Sequence, residues 1–216
     1  MKNLILIFLF SIGWSNINTQ NIEDFFIQLP DSSILNFSTE YRQKLVNNYN
    51  IASSSITNTK ENIKDNYFIE ILDKKNGYLK LGGAIEGKIE MCYWIMTNKN
   101  KLIAVYQEGC GPGCYIERFE FYIYQDSKFE LSNFKKIIPD IFTDFINGDK
   151  KTIENQMEKD NISATLLYEL PRAGKNIIAK WGNLESDNKY RKYAKGNRMV
   201  LKWNNGTFNK GPIFWK

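Results

Sequence analysis

The residues of this 216-residue chain whose types and spacing could do chemistry are three cysteines, a few acids and one basic run. Cys110 and Cys114 bracket Gly111-Pro112-Gly113, a spacing that suits a short-loop disulfide, a redox couple or a pair of metal-directed thiolates. The redox reading lacks the C-x-x-C that opens a helix in thioredoxin-like sites. The metal reading is short of ligands: the chain contains no His, so two thiolates would need carboxylates to complete a shell. The same absence removes Ser-His-Asp and Cys-His nucleophiles and every imidazole acid–base step.

Strand register decides which cysteines meet. Residues 88–97, 101–109 and 115–125 alternate as three antiparallel strands. A first turn centred on Lys99 sets Tyr93 opposite Val105 and Ile95 opposite Ile103. A second centred on Pro112 sets Val105 opposite Phe119 and Ile103 opposite Phe121, so all six share one apolar face. In this register Cys110 faces Cys114 directly. Cys92 faces Tyr106, about 13 Å from Cys110 at ~3.3 Å per residue, beyond disulfide reach. The expectation is a Cys110–Cys114 staple and a lone Cys92 thiol.

The opposite face reads Glu90–Glu108–Ile116, Cys92–Tyr106–Arg118 and Trp94–Ala104–Glu120. Glu90, Cys92, Glu108, Arg118 and Glu120 are therefore the alternative site of a secreted enzyme. They offer a carboxylate pair for glycosidase-type or Ca²⁺ chemistry, or a thiolate that would need Lys or Arg118 to lower its pKa. The plainer reading is an exposed sheet end where Arg118 screens the acids. Ser132-Asn133-Phe134-Lys135 matches the S-x-x-K spacing of Ser-Lys nucleophiles, without companion motifs. Gly82, Gly83 and Gly87 join strand to strand and offer no helix N-terminus to a phosphate. No catalytic residue, metal or cofactor is assigned.

Charge is the stronger clue. Residues 170–216 hold eleven Lys or Arg against Glu185 and Asp187, a net +9, whereas residues 1–169 carry −4. Lys189, Arg191, Lys192, Lys195 and Arg198 interleave with Tyr190 and Tyr193. Cations beside aromatic planes can grip an anionic polymer. The alternative is a solvated basic hairpin whose aromatic residues belong to the core. The partners that fit are an anionic glycan, lipopolysaccharide or an acidic protein surface, rather than nucleic acid.

The elements that must position these residues follow from periodicity. The opening Leu4–Phe10 run after Lys2 has the pattern of a secretory signal peptide, with cleavage expected near residues 19–20 and no nearby Cys for lipidation. No other apolar run is long enough to span a membrane. Asn21 caps a helix carrying Ile22, Phe25, Phe26 and Leu29, and a second runs from Thr39 to Asn48. Tyr67–Leu72 and Tyr78–Leu81 form a hairpin through Asn76-Gly77, followed by the meander. A helix with Pro139 in its first turn then carries Ile138, Ile141, Phe142, Phe145 and Ile146, and a short one surrounds Thr152–Met157. Strands follow at 162–170, 175–181 and 198–203, with a short last one at Thr207 and Phe208. This order predicts an α+β fold, antiparallel meander sheets packed against helices, with residues 20–216 as one domain and sub-halves at 20–126 and 127–216. Asn36, Asn161 and Asn205 begin glycosylation triplets.

The segment Asp24-Phe25-Phe26-Ile27-Gln28-Leu29-Pro30-Asp31-Ser32 resembles the D-x-F-x-x-M/L-P-D-S opening of a family of exported, functionally uncharacterised Bacteroidota proteins. The tail, with Leu170-Pro171-Arg172-Ala173-Gly174 and Leu201-Lys202-Trp203-Asn204-Asn205-Gly206, is similar to related sequences. The resemblance implies export and a shared fold, and it carries no catalytic residues.

Overall fold

The computed structural model describes residues 20–54, 67–83, 87–111, 113–160, 165–182 and 191–216. The expected signal segment lies outside them, as do Lys189, Tyr190 and Asn161.

The chain opens with α1 (Ile22–Gln28), whose start is fixed by a capping box: Asn21 Oδ1 accepts the Glu23 amide and Asp24 Oδ2 accepts the Asn21 amide, both at 2.8 Å. A 3₁₀ turn at Asp31–Ser33 leads to α2 (Thr39–Ser54), longer than its apolar stripe suggested. Six strands then form one antiparallel meander in chain order: β1 (Tyr67–Asp73), β2 (Tyr78–Gly83), β3 (Gly87–Ile95), β4 (Lys101–Cys110), β5 (Cys114–Gln125) and β6 (Lys128–Ser132). The sequence reading missed β6, which follows a two-residue turn through Asp126 and Ser127, both at positive φ.

Pro139 does not sit inside a helix. It falls between two single turns, α3 (Phe134–Ile137) and α4 (Phe142–Phe145), because the residue before a proline is pushed out of the helical region and Ile138 is extended. After α5 (Lys150–Lys159) come β7 (Leu166–Glu169), β8 (Ile177–Trp181), β9 (Arg198–Asn204) and β10 (Thr207–Phe214), a second antiparallel sheet in the order β10-β9-β8-β7. The last strand is longer than expected, bent by an irregularity between Lys210 and Ile213.

Two layers cover the six-stranded sheet. On one face Ile22, Phe25, Phe26, Leu45 and Val46 of the first two helices pack on Ile69, Leu79, Met91, Ile103 and Val105. On the other, Trp94, Ala104, Tyr106 and Phe121 meet Tyr168, Ile177, Ala179, Met199 and Leu201 of the second sheet, with Ile137, Phe145 and Met157 from the helices. Central strand β4 is consequently buried on both faces from Leu102 to Gly109.

Register departs from expectation in two places. The β3–β4 turn is centred on Asn98, so Tyr93 pairs with Ile103 and Cys92 with Ala104; a shift of two leaves side-chain faces unchanged. In β5 a bulge at Glu117 breaks the ladder: Glu108 pairs with Ile116 but Gln107 with Arg118. One extra residue inverts everything beyond it. Phe119 and Phe121 join the face toward the second sheet, while Arg118, Glu120 and Tyr122 turn toward the helices.

Candidate functional site

The acids expected on an exposed sheet end are instead buried where the two sheets meet. Glu90 and Glu108 are 7% and 6% exposed, and the cation between them is Lys88, not Arg118. Lys88 Nζ stands 3.1 Å from Glu90 Oε2 and 4.0 Å from Glu108 Oε2, lies over the Tyr106 ring, and donates to the Tyr168 carbonyl at 3.0 Å. Glu90 also accepts the Tyr78 hydroxyl at 3.0 Å and the Leu170 amide at 3.2 Å. Glu108 Oε2 accepts the Tyr106 hydroxyl at 2.7 Å, and that hydroxyl oxygen accepts the Tyr168 amide at 3.1 Å. Tyr168 N–H and C=O lie on the outer side of edge strand β7, and Leu170 N–H continues that side one residue beyond it. Three side chains of the first sheet thus take the place of a neighbouring strand. Close approach is built into the same corner: a Cβ on Gly87 would stand 1.8 Å from the Glu108 carbonyl oxygen, and φ at Gly87 is +151°.

Burial dominates the electrostatics here. It pushes the Tyr78 hydroxyl well above the usual tyrosine range, with Glu90 adding to the effect, and does the same to Tyr106. Tyr168 is raised to about 12 by burial and then by Asp140. The Cys92 thiol, packed in the core among these groups, is pushed far up by burial and then by Glu90. A thiol held protonated and without solvent access is a poor nucleophile. Each oxygen of the two carboxylates is engaged or closely approached, so the cluster works as a polar dock between layers.

Arg118 and Glu120 sit on the other side of the sheet. Arg118 donates to the Ser32 carbonyl and pairs with Glu120 at 3.4 Å; Tyr122 donates to Glu120 at 2.6 Å and accepts the Ser33 hydroxyl at 2.8 Å. Asp31 of the same turn meets Arg42, which is fully buried and also donates to the Ile27, Leu29 and Phe37 carbonyls. The L-P-D-S segment is thereby tied to both α2 and β5. Ser132 ends β6 and Asn133 caps α3 through the Lys135 amide, so the S-x-x-K spacing marks a strand end followed by a cap.

Cys110 and Cys114 are a directly opposed cross-strand pair joined by a disulfide, both half-buried. Glu108 Oε1 lies 3.8 Å from Cys110 Sγ.

The basic segment divides. Tyr193 is buried, and with Ala194 it is pinned along Phe145–Asn147 by an isolated bridge and by backbone bonds from Asn147 to the Tyr193 carbonyl and from Lys195 to the Phe145 carbonyl. Lys192 pairs with Asp160 at 2.9 Å, and Tyr193 also donates to that carboxylate. The Tyr193 and Lys192 hydrogen bonds hold Asp160 below the usual carboxylate range. Arg198 and Lys180 share Glu169 at 2.9 and 3.5 Å. Burial works against ionising Glu169, but Arg198, Lys180 and Lys88 outweigh it and keep its carboxyl low. Arg191 is exposed over the Trp215 ring, 5.1 Å from its centroid, and Lys195 and Lys202 are exposed with no acidic partner among the described residues. Sequence reasoning missed Lys88, Lys180 and Glu169. Lys88 was findable, since it precedes Glu90 by two on the same face.

Among known proteins, the family described as "Protein of unknown function (DUF3256)" matches residues 14–208. A structure titled as a domain of an uncharacterized protein from Porphyromonas gingivalis W83 is similar in fold, with a TM-score of 0.62 at 12% identity over 88% of this chain and 97% of that one. No curated protein matches the chain.

Proposed function

Because the chain belongs to the DUF3256 family of proteins of unknown function, we propose a role from its surface chemistry: an exported interaction protein that binds an anionic partner through the second sheet. The observation that carries this reading is the surplus of cations around β9 and β10. One carboxylate, Glu169, serves both Arg198 and Lys180, while Arg191, Lys195 and Lys202 have no acidic partner among the described residues. Alternation along β8–β10 places Ile178, Lys180, Arg198, Val200, Lys202 and Phe214 on the face away from the first sheet, joining half-buried apolar area to positive charge. Cations beside Phe214 and Trp215 suit an acidic glycan chain or the sugar-phosphate head of a lipopolysaccharide. The proposed surface differs from the basic run 189–198: Tyr193 belongs to the core and Lys192 is paired, while Lys180 and Lys202 join it.

Export is supported by the Leu4–Phe10 leader pattern and by a Cys110–Cys114 disulfide, a bond that persists in oxidising compartments. No helix among the described residues is long and apolar enough to cross a membrane. The enzyme reading is disfavoured by the engagement of Glu90 and Glu108 with Lys88, Tyr78, Tyr106 and Leu170, and by the burial of Cys92.

The test is binding to acidic glycans, lipopolysaccharide, duplex DNA and neutral glycans at low and physiological salt. Selective binding that weakens roughly tenfold or more with salt, and is lost when Arg191, Lys195 and Lys202 are changed to Glu, supports the reading. Binding that ignores both salt and charge reversal rejects it.

A further inference from the structure

We propose that the tip of the β4–β5 hairpin is a redox-gated site for a thiophilic divalent cation, formed by Cys110, Cys114 and Glu108 once a dithiol has opened the disulfide. The Cys110 and Cys114 sulfurs and a Glu108 carboxylate oxygen all lie within 4.8 Å of one another. Their convergence follows from strand geometry. Glu108 and Cys110 are two apart on β4 and share a face, and Cys114 is the direct cross-strand partner of Cys110. A tetrahedral Zn²⁺ with Zn–S bonds of ~2.3 Å holds two sulfurs about 3.8 Å apart. Opposed cysteines reach that separation by side-chain rotation, without moving the strands.

The carboxylate that two thiolates need in a protein without His is supplied here, and it is held in place. Glu108 Oε2 is occupied by the Tyr106 hydroxyl at 2.7 Å, which leaves Oε1 toward the sulfurs. That arrangement is an outer-shell hydrogen bond orienting a ligand. The divalent cation offsets the two thiolates, and Glu108 already has Lys88, which it shares with Glu90, 4.0 Å from its Oε2. Both cysteines are half-buried, so metal and reductant have access and water can complete the shell.

The chemistry is balanced. The dithiol gives two electrons and two protons to the S–S bond and becomes a disulfide itself. Cation binding then displaces the two thiol protons. Metal and disulfide are mutually exclusive, so the site reports the local thiol poise.

The experiment titrates Co²⁺ into the full-length chain, with and without prior dithiol reduction and anaerobic removal of the dithiol. Expected are thiolate-to-cobalt charge-transfer bands at one cation per chain in the reduced form only, displaced by Zn²⁺. Cys110→Ser and Cys114→Ser should abolish them, and Cys92→Ser should leave them unchanged. Glu108→Gln should keep the bands and weaken affinity by about tenfold or more. If circular dichroism shows that Glu108→Gln does not fold, the two cysteine variants decide. Equal binding by the oxidised chain, bands that survive Cys110→Ser, or no bands in the reduced wild type each overturn the site.

Discussion

Glu90 on β3 accepts the backbone amide of Leu170 at 3.2 Å, so a side chain of the first sheet closes the open edge of the second. The Tyr106 hydroxyl does the same for the Tyr168 amide, and Lys88 for the Tyr168 carbonyl. Docking of the two sheets therefore depends on polar groups that are buried and hydrogen-bonded as well as on the shared apolar core.

Breaking this dock should be costly. Tyr106→Phe leaves Glu108 without its donor and the Tyr168 amide without its acceptor, and should lower stability by about 1–3 kcal/mol. Glu90→Ala leaves Lys88 facing one carboxylate instead of two and strands the Leu170 amide, with an expected loss of about 3–5 kcal/mol. Urea unfolding followed by tryptophan fluorescence measures both; a change under 0.5 kcal/mol in either would remove the dock from the account.

Arg42 is the anchor of the L-P-D-S turn. Its side chain is fully buried while that of its partner Asp31 is 59% exposed. Arg42→Ala exposes several carbonyls to an empty site and should cost about 3–5 kcal/mol. Asp31→Asn should cost at most about 1 kcal/mol, as for an exposed pair. Equal losses would show that the ion pair, and not the carbonyl cage, holds the turn.

Alkaline pH should undo the fold. Tyr122 is raised to about 12 by burial and then by Glu120, and Tyr168 to about 12 by burial and then by Asp140, from an ordinary value of 10.0. A raised folded pKa means that the folded state holds the proton more tightly. The associated stability is complete below pH 10 and declines as pH rises from 10 through 12. Stability measured across that window should fall monotonically, with phenolate absorbance of these residues appearing late; stability that is flat from pH 9 to 12 contradicts the assignment.

Thiol chemistry separates the cysteines. Without reductant, Ellman's reagent should find no reactive thiol in the native chain and one per chain in denaturant, from buried Cys92. A native thiol count near two would mean that the hairpin disulfide is open.

Much of the local architecture is legible in the residues. The Asn21 cap, the helix ended by Pro30, the meander and the opposition of Cys110 to Cys114 all rest on short-range rules of capping, alternation and turn closure. The division of the acidic candidate site was not legible, and it comes from one residue, Glu117. Its bulge inverts β5, so Arg118 and Glu120 leave the face of Glu90 and Glu108, and the five-residue site read from the sequence is divided between two layers. Alternation does not encode a bulge, because apolar residues occupy both faces of this doubly covered strand and either register buries a plausible set. Asn205 makes a similar point. Its triplet shows nothing of its contacts: the Asn205 side-chain Nδ2 donates to Thr97 Oγ1 at 2.9 Å and its Oδ1 accepts the Thr97 backbone amide at 2.7 Å, more than a hundred positions away.

The sequence by itself determined the fold class, the staple and the excess of positive charge at the C-terminal end, because composition, periodicity and the reach of a short loop are local properties of the chain. Only the tertiary structure decided which charges are free. Glu90, Glu108, Lys88, Lys192 and Arg198 are matched by partners up to 80 positions away, and no local rule fixes how one sheet lies on another.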